Sequence, residues 1–393
     1  MGRTAIISVD GHVRASRAGY REHIERRYLD EYDAWVRAAE DAGTPDAGNL
    51  NPAFGLDAQW DSDARLRAVE SEGVVAEVLF PNGVPFQTGL LDDAGRGADP
   101  ELNRQGRRAY NRWLAEFCAA TPGRRAGQAL VSFDDVDEAV GDIHWAKEHG
   151  LGGIMMPPLG AQGPFFFERT LDPIWAACVE DELPVSQHGG TGAPVYGPGG
   201  FAAIMTLAIE HSFFSGRSLW QMILGGVFER FPDLRVVFVE TEVHWIEPAI
   251  ANVDRRLEWD DDWMDFAKFL QRDRAFSRSA RDYWRSNCYA GISPFHPKQI
   301  PLDELAAGEG VDARLITSEN AMFGVDYPHF ESIFGSTSEH VANLLGTPGI
   351  THDDAQSILF DNAAEIYGFD RAHLQPHIDR VGFELATPTN LRA

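Results

Sequence analysis

The sequence predicts an α/β chain folded as a (β/α)8 TIM barrel with helical insertions. Three observations carry this reading. Eight short apolar runs recur along the chain, longer helical patterns separate most of them, and isolated Asp, Glu and His residues close several of the runs. Apolar runs alternating with helices require parallel strands joined by crossovers, and eight such units suit a barrel better than a doubly wound sheet. The 393 residues, 44% hydrophobic and 11% aromatic, supply a core of that size.

The first run is Ala5-Ile6-Ile7, leading into Ser8-Val9-Asp10-Gly11-His12. Arg14 to Trp60 follows, with a helical pattern over Glu25 to Ala42 and a Gly/Pro/Asn-rich stretch from Gly43 to Phe54. It is too long for a strand-to-helix loop and is assigned as a lid insertion over 14–60. Helix Asp61 to Glu72 then leads to strand Val74 to Phe80, helix Glu101 to Ala120 to strand Ala126 to Val131, and helix Val136 to Glu148 to strand Gly153 to Met156. Helix Asp172 to Asp181 leads to strand Leu183 to His188, and helices Phe201 to Phe213 and Ser218 to Phe231 lead to strand Leu234 to Glu240. A helix starts near Trp245. The charged, aromatic stretch Trp259 to Trp284 is assigned as a helical insertion (259–284), with a homo-oligomer contact as its alternative role. Strands Asn287 to Ala290 and Ala321 to Asp326 complete the eight, followed by helices Thr337 to Leu345 and Asp353 to Tyr367. One barrel domain is thus expected over 1–370, with a C-terminal tail at 371–393.

Against 34 Lys and Arg stand 60 Asp and Glu, a formal charge of -26 that repels nucleic acids and anionic membranes. Cys118, Cys178 and Cys288 are few and dispersed, so neither a disulfide framework nor a thiolate metal site is indicated. The first strand begins too early for a signal peptide, and no apolar run spans a bilayer, so a cytoplasmic protein is expected.

In a barrel of parallel strands all C-terminal ends open on one face, so polar residues there converge. Strand one delivers Asp10 and His12, strand five His188, strand six Glu240 followed by His244, and strand eight Asp326, with His329 three residues on. Singly, each is a common strand-end or turn residue. Together, the imidazoles of His12, His188 and His244 and the carboxylates of Asp10, Glu240 and Asp326 form the ligand set of a hard or borderline divalent metal. A helical turn after strand six would put Glu240 and His244 on one face, and six ligands exceed one open catalytic ion, so two metals are expected. His329 is the candidate substrate contact. No H-E-x-x-H or G-x-S-x-G motif occurs.

The motifs Val9-Asp10-Gly11-His12, Gln187-His188-Gly189-Gly190, Gly225 to Leu234, Phe323 to His329 and Asn362 to Phe369 resemble the amidohydrolase superfamily, in its aminocarboxymuconate semialdehyde decarboxylase branch. The resemblance implies a metal held by Asp10, His12, His188 and Asp326. That branch usually places a histidine at the end of strand six to activate metal-bound water; here the residue is Glu240, and His244 stands where relatives commonly have a small residue. This departure resembles the TIM-barrel non-haem diiron monooxygenases of platensimycin and platencin biosynthesis. That likeness implies two iron ions, with Glu240 catalytic and Glu240 and His244 holding the second, and O2 reduced with the help of an external electron donor. The substrate would be a small molecule linked to coenzyme A, with terpenoids as a candidate class. Arg104, Arg107, Arg108, Arg124 and Arg125 are the candidate basic patch for such an anionic thioester. The alternative is a mononuclear Zn or Mn hydrolase or non-oxidative decarboxylase, with Glu240 as base and His244 touching substrate.

Overall fold

The computed structural model describes residues 3–87, 99–157, 165–190, 200–257, 274–296, 302–305 and 314–384. Its body is a ring of eight strands: β1 (Ile6–Ser8), β2 (Val74–Pro81), β3 (Arg125–Leu130), β4 (Gly153–Met155), β5 (Val185–His188), β6 (Val236–Val239), β7 (Cys288–Ile292) and β8 (Ala321–Phe323). Neighbours in chain order pair in parallel from β1 to β8. The ring closes where Val9 N–H donates to Phe323 O at 2.9 Å and Asp326 N–H donates to Asp10 O at 3.1 Å. Ser8 clips the same seam, its hydroxyl donating to Asp10 O at 2.7 Å and accepting Val325 N–H at 3.0 Å. The expected (β/α)8 barrel is the observed fold.

Helices enter where aspartates stop the preceding loops. Asp61, Asp99 and Asp135 cap Ser62–Ser71, Pro100–Ala119 and Val136–Glu148, each carboxylate accepting a first-turn N–H. Strand alternation divides the core in two. On β6, Val236 and Phe238 face the helices, whereas Val237 and Val239 face the barrel interior with Ile7, Val9, Val78 and Met322. The lower interior is filled from the C-terminal helices by Phe360, Ile366, Tyr367 and Phe369. Helix Arg371–Val381 and a short strand, Phe383–Glu384, antiparallel to Arg3–Thr4, lie at that end.

Two departures from the expected elements have local causes. Phe201–Leu224 is one helix rather than two, because Gly216 continues it: a Cβ there would meet the Trp245 ring at 2.7 Å, so the glycine serves close packing and not a break. The last strand stops at Phe323, and Asp326 turns out of it in the left-handed region, φ 62°. Most of the expected insertion 259–284 and the glycine-rich residues 191–199 lie outside the described residues.

Beneath the mouth of the barrel, fully buried Arg65 forms a two-pronged ion pair with Glu77, at 2.7 and 3.0 Å, and donates to His12 O and Tyr327 O. It thereby joins the backbones after β1 and β8. Gly11 crosses this pair so closely that a Cβ would stand 2.8 Å from Arg65 Nη2. Removing one partner of such a pair leaves a buried charge without compensation. Arg65→Met is therefore expected to lower stability by about 3–5 kcal/mol in chemical denaturation, with Glu77→Leu added to it restoring most of the loss. A single variant within about 1 kcal/mol of the parent would contradict this account.

At the opposite end Glu70 binds Arg380 of the C-terminal helix at 2.7 Å and Arg124 at 2.8 Å, with His377 4.0 Å away. The Arg380 bond chiefly, helped by Arg124 against burial, holds the Glu70 carboxyl down at about 2. A carboxyl depressed in the folded state contributes stability above its unfolded pKa and loses it as pH falls through the folded value. Acid is thus expected to release the 371–381 helix between pH about 4.5 and about 2, seen as new proteolytic cleavage there. Glu70→Gln should flatten this part of the acid profile; superimposable profiles would count against it.

Candidate metal centre

The register of the strands brings the polar ends to one height. His188 pairs with Val239, the residue before Glu240, and His12 resumes the first strand beside Phe80. Glu240 is in the left-handed region, φ 54°, as is Asp326. Non-glycine residues seldom adopt it, and here the turn brings both carboxyls to the barrel axis. Asp10, His12, His188 and Glu240 offer ligand atoms all within 4.8 Å of one another, and His12, Asp326 and His329 form an adjoining group. Asp10 and Asp326 are fully buried, His12 and His329 nearly so, while the Glu240 side chain keeps 22% of its surface.

Hydrogen bonds set which nitrogen each ring presents. His12 Nδ1 lies 3.2 Å from Pro81 O and His188 Nδ1 lies 3.1 Å from Gly189 O; both oxygens only accept, so both Nδ1 atoms carry hydrogen. The Nε2 atoms therefore face inward, His12 Nε2 at 3.2 Å from Asp10 Oδ1 and 3.4 Å from Asp326 Oδ1, His188 Nε2 at 3.3 Å from Asp10 Oδ1 and from Glu240 Oε2. Asp10 Oδ2, His12 Nε2, both Asp326 oxygens and His329 Nδ1 are buried without a hydrogen-bond partner among the described residues. Atoms about 2.1 Å from a common ion stand about 3.0 Å apart along an octahedral edge and about 3.4 Å along a tetrahedral one, so this spacing fits a divalent cation.

The electrostatics agree. Burial raises Glu240 and Asp326 well above the ordinary carboxylate range, with neighbouring carboxylates adding to it. Burial also pushes His12 down to about 3, leaving a neutral ring. For His188 burial pulls down, but Asp10 and Glu240 outweigh it and lift the ring to about 9. Asp10 and Glu240 thus favour positive charge on His188, at the point where the ligand atoms meet.

Of the residues expected from sequence, Asp10, His12, His188, Glu240, Asp326 and His329 come together. His244 does not. Its side chain is 61% exposed and pairs with Glu242 at 3.1 Å. The expected helical spacing from Glu240 never forms, because Glu240 and Glu242 both take left-handed backbone and the helix begins only at Ile246. The pair proposed for a second iron is therefore absent. His329 stacks on His12 with ring centroids 3.7 Å apart, 2% exposed, placed against the metal ligands. Four of the five arginines of the expected patch are taken up internally: Arg104 pairs with Glu101 and Glu138, Arg108 with Asp142, Arg124 with Glu70, and Arg125 donates to Phe117 O.

Sequence reasoning missed Asn82, Gln59 and Glu331. Asn82 directly follows β2, and its strand-end position was the available signal. Its Oδ1 is 3.3 Å from His329 Nε2, and its Nδ2 donates to Gln59 Oε1 at 2.7 Å.

A family model described as Amidohydrolase matches residues 87–369. Among curated protein sequences none matches. Three solved structures are similar along nearly the whole chain. An amidohydrolase from Mycobacterium avium subsp. paratuberculosis K-10 is 19% identical with a TM-score of 0.67, over 94% of this chain and 99% of that one. A dihydroxybenzoic acid decarboxylase from Polaromonas sp. JS666, with bound manganese and 2-nitroresorcinol, is 17% identical with a TM-score of 0.62, over 94% and 99%. A 5-carboxyvanillate decarboxylase from Novosphingobium aromaticivorans DSM 12444, also with manganese, is 17% identical with a TM-score of 0.64, over 93% and 97%. Two of the three are decarboxylases and none is an oxygenase, which with the displaced His244 corrects the expectation of a diiron monooxygenase. The barrel, the convergent histidines and carboxylates, and a family match across most of its length agree: the chain belongs to the amidohydrolase family.

Proposed function

We propose that this protein is a divalent-metal-dependent, non-oxidative decarboxylase of an aromatic carboxylic acid, with Mn2+ as its ion. The observation that carries the reading is the cluster of Asp10, His12 and His188, with Asp326, whose carboxyl oxygens have no hydrogen-bond partner among the described residues, beside it and Glu240 at its exposed edge. The decarboxylases of similar fold that hold manganese support the reaction class.

Asp10, His12, His188 and Asp326 would hold the ion, which when bound supplies positive charge against the substrate's carboxylate. Glu240 is the acid. Burial and the neighbouring carboxylates favour its protonated form. It donates that proton to the carbon bearing the carboxylate; the bond to the carboxylate then breaks, its electron pair stays with the ring and CO2 leaves. The Glu240 carboxylate regains a proton from solvent through its exposed edge. Phe80, its ring 4.5 Å from that of His188, keeps water from the floor of the site.

The test is CO2 release under argon from Mn2+-loaded protein given a panel of hydroxybenzoates that includes 2,6-dihydroxybenzoate and 5-carboxyvanillate. Turnover without O2 is expected, with one deuterium in the product when run in D2O. Glu240→Gln should lower kcat by about 10²- to 10⁴-fold while the metal stays bound. A reaction that depends on O2 and a reductant would sink the proposal.

Metal analysis gives a second test. His12→Ala should lose the bound ion, whereas His244→Ala should retain it, since that side chain faces solvent. Loss of metal from the His244 variant would overturn the ligand assignment.

A further inference from the structure

We propose that Asn82 is a positioning residue of the metal centre: it holds the hydrogen of His329 on Nε2, so that the ring cannot donate to Asp326 and the Asp326 carboxylate stays free for the ion. The inference rests on the ion of the proposed function and goes beyond it by assigning a residue that touches neither ion nor substrate.

Asn82 lies fully buried directly after β2. Its amide meets the backbone of Asn49, in the lid insertion, twice: Oδ1 accepts Asn49 N–H at 3.0 Å and Nδ2 donates to Asn49 O at 3.0 Å. A backbone N–H can only donate and a carbonyl can only accept, so these two bonds decide which end of the amide is oxygen. The second hydrogen on Nδ2 goes to Gln59 Oε1 at 2.7 Å. Gly48 permits the close approach, since a Cβ there would collide with Asn82 O. The same segment of the lid is pinned to the loop after β8, Asn51 N–H donating to Pro328 O at 3.0 Å and the Phe54 ring lying 5.1 Å from that of Tyr327. The Asn82 amide cannot turn over without breaking its bonds to the lid.

The oxygen of that amide faces His329 Nε2 at 3.3 Å. An acceptor there places the hydrogen on Nε2, and in the neutral ring Nδ1 is then bare. Nδ1 stands 2.9 Å from Asp326 Oδ1, and neither atom has a hydrogen-bond partner among the described residues. Both residues are almost wholly buried. The other tautomer would close this contact at once, with Nδ1–H donating to the carboxylate in a strong, charge-assisted bond. Such a bond would occupy Oδ1 and compete with a cation for it. With Nδ1 bare, two acceptors face each other away from water, and their repulsion is relieved only by positive charge between them. His329 also stacks on His12, with ring centroids 3.7 Å apart and planes 23° from parallel, so a turn of its ring would disturb a second ligand. One amide thus steadies both.

The test follows the proton and the ion separately. The full chain, labelled with 15N at histidine and free of metal, is studied by long-range 1H–15N NMR, with the His329 signals identified by their loss in His329→Phe. Hydrogen on Nε2 and a bare Nδ1 are expected, and in Asn82→Leu the hydrogen should move to Nδ1. Equilibrium dialysis then measures Mn2+ binding, which Asn82→Leu should weaken by about 10- to 100-fold. Added to His329→Phe, the same substitution should weaken binding no further, because Asn82 acts through that ring. Hydrogen on Nδ1 in the parent protein would overturn the inference without any variant. Unchanged Mn2+ affinity in Asn82→Leu, or an equal loss with and without His329, would overturn it too, and each leaves the proposed function standing. Failure of the parent to bind Mn2+ would remove the proposed function and this role together.

Discussion

The mouth of this barrel is governed by one constraint: imidazole nitrogens and carboxyl oxygens from the ends of β1 and β8 are buried against each other, several of them without a hydrogen-bond partner among the described residues. Asp10, Asp326, His12 and His329 all have acceptor atoms without partners there. Buried acceptors normally find a donor, and leaving one unsatisfied costs about 1–3 kcal/mol. Several such groups at one point make sense as a site for positive charge. The rest of the structure around the mouth holds them there.

That support comes from outside the cluster. Pro81 O and Gly189 O fix the tautomers of His12 and His188, and Asn82 fixes that of His329. Such outer partners orient a metal ligand and tune its basicity. Below them Arg65 ties the carbonyls of His12 and Tyr327 together while Glu77 balances its charge. The Ser8 hydroxyl bridges the seam between β1 and β8. The two strands that carry Asp10 and Asp326 are thus joined by backbone, hydroxyl and guanidinium at once, which keeps their carboxyls at a constant spacing.

The same geometry directs the functional reading away from oxygen chemistry. A helix after β6 would have set His244 beside Glu240 and made a second iron site from that pair. The left-handed turns at Glu240 and Glu242 instead point His244 to solvent and leave Glu240 at the rim without it. Under the proposed function, a carboxyl at the exposed edge of the ligand cluster suits proton transfer to a substrate carbon. Arginines at 104, 108 and 124, which could have drawn a large polyanion, are paired with acidic neighbours.

Much of this was legible without coordinates. Eight apolar runs separated by helices determine a parallel barrel, since strands buried on both faces need crossover helices, and a parallel barrel collects strand-end residues on one face. Asp10, His12, His188, Glu240 and Asp326 could thus be assigned to one site from their positions alone. Tertiary structure decided what periodicity does not encode. The backbone at Glu240 and Asp326 is left-handed, so neither extended nor helical spacing foretells what lies four residues on. Gly216 continues a helix because Trp245 packs against it, a contact between distant segments. Arg65 and Asn82 acquire their roles only when separate loops meet. Local sequence sets which side chains reach the mouth of the barrel; the closure of the ring sets which atoms of those side chains face one another.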